Sequence, residues 1–246
     1  MKHLVGFLTS SLPENNFTVD LALHMKEAGV DTLELGIPFS DPVADGPVIE
    51  KASLRALENG FKLEDLFEVT SKIAPHMDTL WMGYLNPYFQ YGIEKFLQKG
   101  KEFNVSGSII PDLPYEEAIK YKELFKQYDQ SLINFVAPTD SFERIQKITQ
   151  DSSKFIYMVA YAGITGSGAK EDLSQIIENV RKTTDTPLYI GFGVDEKTAK
   201  EKSQGVDGVI VGSAFVKHLL DDSLNYNEKI KKIVTIAKNI KESINN

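Results

Sequence analysis

Glu34 and Asp45 are the residues of this 246-residue chain best placed to move protons. Glu34 sits inside the apolar run Thr32-Leu33-Glu34-Leu35-Gly36-Ile37. Side chains alternate along a strand, so Leu33, Leu35 and Ile37 share one face, and Thr32, Glu34 and Gly36 the other. With the leucine face against helices, Glu34 points into whatever the sheet encloses, where desolvation lifts a carboxyl pKa towards neutrality. A buried Glu neutralised by Lys or Arg is the alternative, although the other strand-like runs offer almost no basic residue. Behind Glu34 comes Pro38-Phe39-Ser40-Asp41-Pro42-Val43-Ala44-Asp45-Gly46-Pro47, a stiff loop because proline fixes φ. Turn chemistry accounts for part of its Asp and Gly content. It also puts a second carboxylate, Asp45, on a support separate from that of Glu34, the arrangement an acid/base pair requires.

A second constellation is rich in glycine: Gly163-Ile164-Thr165-Gly166, Gly191-Phe192-Gly193 and Gly212-Ser213, each behind an apolar run. Glycine lets backbone N–H groups approach a phosphate, and a helix starting near Ser213 would add the positive end of its dipole. Tight turns explain any one of these loops as well, whereas their recurrence in adjacent loops favours phosphate. Pro111-Asp112-Leu113-Pro114 is a further stiff, acidic loop, readable as a turn or as a docking surface.

These residues need a frame, and the chain alternates short apolar runs with helical periodicity. Strands are expected at Leu4–Thr9, Thr32–Gly36, Leu80–Tyr84, Gly107–Ile110, Leu132–Val136, Phe155–Val159, Leu188–Gly191 and Gly208–Val211. Helices are expected at Phe17–Ala28, Val48–Glu58, Leu63–Ile73, Ile93–Phe103, Tyr115–Gln127, Phe142–Gln150, Leu173–Lys182, Glu196–Lys202 and Asn227–Ser243, with Asp172 and Asp195 as N-caps. Near-continuous apolar strands mean burial on both faces, as in a parallel sheet covered by helices. Eight such units predict an α/β fold, a (β/α)₈ barrel forming one domain over residues 1–246. A doubly wound open sheet competes, but no G-x-G-x-x-G follows the first strand, and the glycine turns fall after the last three.

Composition narrows the functions. A net charge of −8 disfavours nucleic acid, and the absence of Cys excludes disulfides and thiolate chemistry. His3, His24, His76 and His218 lack metal-ligand spacing. The run Phe155–Ile164 is half of the roughly 20 residues a membrane helix needs, and Leu4–Leu12 lacks a signal-peptide cleavage site. A cytoplasmic protein is expected.

Leu33-Glu34-Leu35-Gly36-Ile37-Pro38-Phe39-Ser40-Asp41-Pro42 with Ala44-Asp45-Gly46-Pro47 resembles one family, the tryptophan synthase α subunits. So do Tyr84-Leu85-Asn86-Pro87, Pro111-Asp112-Leu113-Pro114, Tyr157, Gly163-Ile164-Thr165-Gly166, Gly191-Phe192-Gly193 and Gly212-Ser213-Ala214, in order along almost the whole chain. The resemblance implies retro-aldol cleavage of indole-3-glycerol phosphate to indole and glyceraldehyde 3-phosphate. Glu34 would move protons at indole C3 and the glycerol hydroxyl, and Asp45 would hold or take the indole N–H proton. Gly166, Gly193, Gly212 and Ser213 would bind phosphate, Phe7, Tyr157 and Phe192 would surround the substrate, and Thr165 would belong to a lid closing towards Asp45. It further implies no cofactor in this chain and an αββα complex. In that complex a β subunit carrying pyridoxal phosphate meets the loops Pro38–Pro47 and Pro111–Pro114 and receives the indole. The chain departs from the family pattern where Met1 lies only three residues before Leu4, without the usual preceding helix, and where Ala160-Tyr161 replaces Ser-Arg. Another phosphate-binding barrel such as an isomerase, a regulatory subunit that activates the β partner, and a free-standing lyase are the alternative readings.

Overall fold

The computed structural model describes residues 1–159 and 173–246. Nine strand segments run in parallel: β1 His3–Thr9, β2 Thr32–Gly36, β3 Asp78–Met82, β4 Gly107–Ile109, β5 Ser131–Leu132, β6 Asn134–Val136, β7 Ile156–Val159, β8 Leu188–Gly191 and β9 Gly208–Val211. Their order is β5-β4-β3-β2-β1-β9-β8-β7-β6. The two ends of that sheet are consecutive pieces of chain separated by Ile133. β5 pairs with β4 and β6 with β7. The run expected as one strand, Leu132–Val136, therefore serves both edges, and the sheet closes into a barrel where this segment changes partner. At the change Ile133 donates its N–H to the Ser108 carbonyl and buries its side chain inside the barrel.

Helices cover the outside: α1 Asn15–Glu27, α2 Pro47–Glu58, α3 Leu63–Ile73, α4 Leu85–Tyr91, α5 Ile93–Glu102, α6 Tyr115–Ala118, α7 Lys122–Gln127, α8 Phe142–Gln150, α9 Ser174–Arg181, α10 Ala199–Lys202, α11 Ser213–Leu219 and α12 Tyr226–Asn245. Strand alternation splits the apolar core in two. Val5, Leu80, Ile109, Ile133, Phe155, Tyr189 and Ile210 fill the barrel, while Leu4, Leu8, Leu33, Leu35, Val209 and Val211 face the helices.

Several boundaries differ from expectation for local reasons. The third strand is Asp78–Met82, not Leu80–Tyr84, because the chain leaves the sheet at Gly83 and Tyr84 caps α4. That helix was not expected; its Pro87 falls in the first turn, where no intrahelical N–H is missed. The expected helix Tyr115–Gln127 is interrupted by a 3₁₀ turn over Ile119–Tyr121. Asp195 does cap the backbone N–H groups of Lys197 and Thr198, but the α-helix proper begins only at Ala199. Asp172 lies outside the described residues. The C-terminal helix opens with a capping box between Asn225 and Glu228, and its Lys241 reaches the Lys2 carbonyl and the Asp31 carboxylate beside β1. Among the described residues no helix is long and apolar enough to cross a membrane.

Candidate active site

Glu34 stands in the middle of β2, with Phe7 of β1 and Leu80 of β3 as its register partners. Because Leu33 and Leu35 pack against the helices, Glu34 points into the barrel, and only 3% of it is exposed. Its Oε2 has no hydrogen-bond partner among the described residues. Burial, and then the nearby Asp45 charge, push its pKa up to about 8. Among the described residues the counter-ion of the alternative reading is not one of the groups that act on it.

Asp45 reaches the same space from the loop between β2 and α2. Burial raises its pKa to about 6 against the opposing effect of a hydrogen bond from Tyr84, and Glu50 adds a further push upwards. The loop is pinned at both ends. Phe39 exchanges hydrogen bonds with the Ser53 hydroxyl of α2, its N–H donating over 2.7 Å and its carbonyl accepting over 3.1 Å. The Tyr84 hydroxyl donates to Asp45 Oδ2 over 3.1 Å and accepts the Ala44 N–H over 2.9 Å. Two carboxylates with separated pKa values can divide the work at neutral pH, Asp45 ionised and Glu34 protonated.

Both line a cavity of about 810 Å³ at the C-terminal ends of the strands, a size suited to a small molecule. Phe7, Tyr157, Phe192, Gly193, Gly212 and Ser213 line it too, so every expected site residue within the described chain converges there. Thr165 and Gly166 lie outside the described residues. The aromatic walls depend on glycines in neighbouring strands. A Cβ on Gly36 would strike the Phe7 ring, and one on Gly191 would strike the Tyr157 ring and hydroxyl. Tyr157 is buried, and desolvation followed by the Glu34 and Asp45 charges holds its hydroxyl protonated well beyond neutral pH.

At the far wall Phe192 and Gly193 both have positive φ, 73° and 64°. For phenylalanine that conformation is strained, and such strain gathers at ligand sites. Lys202 donates to the Phe192 carbonyl over 2.6 Å and so holds this turn. Gly212 and Ser213 lead into α11, and Lys217, one turn further on, lines the cavity. Arg144 lines it as well, but is paired with Glu116 and Asp140. Among the described residues no cluster of three or more His, Asp and Glu side chains could hold a metal ion.

Sequence reasoning missed the part Tyr84 plays beside Asp45. Its place just beyond the C-terminal end of a strand was the available signal, but that strand was expected to run through Tyr84 itself.

Comparison with known proteins agrees with this geometry. The sequence pattern of the family "Tryptophan synthase alpha chain" matches residues 1–245. A tryptophan synthase alpha chain of Wolinella succinogenes is 57% identical over 100% of this chain and 96% of its own length. The solved tryptophan synthase subunit alpha of Legionella pneumophila superposes with a TM-score of 0.88 at 30% identity, over 99% of this chain and 93% of that one. A chain of Mycobacterium tuberculosis tryptophan synthase superposes equally well, with a TM-score of 0.88 at 28% identity, over 99% and 92% of the two chains.

Proposed function

The chain belongs to the tryptophan synthase alpha chain family and is a lyase of tryptophan biosynthesis; from that premise we propose that it cleaves indole-3-glycerol phosphate into indole and glyceraldehyde 3-phosphate, with Glu34 and Asp45 as its catalytic residues and the whole barrel as one catalytic domain. The observation that carries this reading is the pair of carboxylates with raised and separated pKa values in one cavity.

The two protonation states fit the reaction. Protonated Glu34 delivers its proton to indole C3, which turns the ring into an electron sink, while ionised Asp45 takes up or holds the N–H proton. The Glu34 carboxylate so formed removes the proton of the glycerol hydroxyl. As the C–C bond breaks, its electron pair returns to the ring and Asp45 gives back the nitrogen proton. The net change is one proton moved from oxygen to carbon, and both carboxyl groups end as they began.

Phe7, Tyr157 and Phe192 surround the indole, the backbone at Gly166, Gly193, Gly212 and Ser213 receives the phosphate, and Thr165 contacts the substrate. The partner is a tryptophan synthase β subunit in an αββα assembly, engaged through the loops Pro38–Pro47 and Pro111–Pro114. That subunit carries the pyridoxal phosphate, and no step in this chain uses it. The protein works in the cytoplasm.

The test is indole release from indole-3-glycerol phosphate by the purified chain, with and without a β subunit, across pH. Cleavage needs Asp45 ionised and Glu34 protonated, so the rate should rise through about pH 6 and fall through about pH 8. A chain that releases no indole under any condition would leave only a binding or regulatory role.

A further inference from the structure

Tyr84 is 2% exposed and stands behind Asp45. Its hydroxyl has one proton to give. Because that oxygen accepts the Ala44 N–H, the proton is free for Asp45 Oδ2, and the direction of the second bond follows. The ring is held in turn by Phe39, stacked at 5.3 Å between centroids and 24° between planes. The next residue, Leu85, donates its N–H to Asp112 Oδ1 over 2.9 Å. One dipeptide thus ties the loop carrying Asp45 to the loop Pro111–Pro114.

We infer that Tyr84 is the positioning residue for Asp45, engaging Oδ2 and leaving Oδ1 as the oxygen that meets the substrate's nitrogen proton. The inference deepens the proposed function and rests on it for the role of Oδ1. A carboxylate on a loop can rotate about its last bond. A donor fixed to the same loop's backbone removes that freedom, and a hydrogen bond to the ionised form favours it over the neutral one.

Among the described residues the other ionisable groups acting on this cluster are all acidic. Glu34 of β2 and Tyr157 of β7 share the cavity with Asp45, Glu50 of α2 pushes the Asp45 pKa upwards, and Asp112 acts on Tyr84. Among the described residues no cation acts on the Asp45 pKa, so the Tyr84 bond is what opposes burial there. Without it the carboxyl holds its proton to higher pH.

The experiment compares the full-length chain with Tyr84→Phe and with Ser53→Ala, each assayed for indole release across pH with the β subunit present. Carbon-13 NMR titration of the aspartate carboxyl groups in the full-length chain alone runs in parallel, with Asp45 assigned through Asp45→Asn. Phenylalanine keeps the stacked ring and removes only the hydroxyl. The expected result is a kcat reduced about tenfold at pH 7 with KM within about twofold, and an Asp45 titration and acid limb both moved above 6. Ser53→Ala loosens the same loop from its other end and should leave the Asp45 titration where it was.

An unmoved Asp45 titration in Tyr84→Phe, or an equal move in Ser53→Ala, overturns the inference and leaves Tyr84 a packing residue. The NMR result stands whether or not indole is released. An upward move in a chain that cleaves nothing would uphold the positioning role and remove only the reaction built on it.

Discussion

The two ends of the barrel treat carboxylates in opposite ways. At the C-terminal end no basic group among the described residues is paired with Glu34 or Asp45, and burial drives both pKa values up. At the N-terminal end Asp78 is also withdrawn from water, which pushes its pKa up, but hydrogen bonds from Lys154, Ser106 and Thr32 outweigh burial and leave the net value below the ordinary one. Asp31 takes Lys241 and the Leu4 N–H, and Asp207 takes Arg181 and the Leu188 N–H. The same residue type is spent on holding strands together at one end and kept reactive at the other. What differs is the company: lysine, arginine and orphan N–H groups below, aromatic rings, glycines and a second carboxylate above. An unpaired buried acid is costly, and a fold that carries one at a single end marks that end as functional.

The sharpest way to break the contrast is to remove the unpaired acid. Glu34→Gln should lower the rate of indole release by about 10³-fold, the scale of general acid–base catalysis, while circular dichroism shows an intact fold. It should also change how stability depends on pH. Folded Glu34 holds its proton up to about pH 8 and the unfolded residue only to about 4.5, so the parent loses stability as pH rises from 4.5 through 8. In the variant most of that slope should vanish from urea melts, and an unchanged slope would mean that Glu34 is not the buried acid described here.

A smaller effect comes from giving the upper end what the lower one has. Met82 lies two residues beyond Leu80 on the inward face of β3 and lines the cavity. Met82→Lys would place an ammonium near Glu34, favour its ionised form and strip the acid of its proton at neutral pH. Indole release at pH 7 should fall about 10²-fold, with the alkaline limb moved below 8 and partial recovery at lower pH. Loss of activity at every pH alike would point to blocked binding instead.

Much of this contrast could be read before the structure and part of it could not, for reasons of sequence distance. Glu34 was legible because alternation is a local rule, and Leu33 and Leu35 declare their face within five residues. The barrel was legible from its apolar strands. The change of partner at Ile133 was not, since a run of five apolar and polar residues looks the same whether it serves one neighbour or two. Gly83-Tyr84 read as strand by composition, yet the close fit of the Ile37 side chain against Gly83 belongs to tertiary packing. Contacts across long stretches of chain left no local trace: Tyr84 meets Asp45 over 39 positions, and Lys154 meets Asp78 over 76.

That last pair supplies the mildest test, and one with no expected effect on catalysis. Lys154 Nζ lies 2.8 Å from Asp78 Oδ2, which also accepts the Thr32 hydroxyl over 2.7 Å, and Thr32 in turn meets His3 Nε2 over 2.9 Å. Lys154→Met keeps the apolar stem and removes the charge. Both partners are about two-thirds or more buried, so the variant should lose about 1–2 kcal/mol at pH 7, more than an exposed pair and less than a sealed one. Folded Asp78 titrates below its ordinary 3.8, so its contribution is present above 3.8 and is lost as pH falls through the folded value. The two proteins should therefore converge in urea melts as pH falls below the folded titration of Asp78, where it is neutral in both. A gap that persists there would assign the loss to packing of the lysine stem. Indole release should stay within about twofold, because among the described residues this rim is joined to Glu34 and Asp45 through the β-sheet, and a rigid barrel transmits little of a side-chain change at one end to the other. A large fall in kcat would instead make the two ends one energetic unit, with the paired acids below holding in place the unpaired ones above.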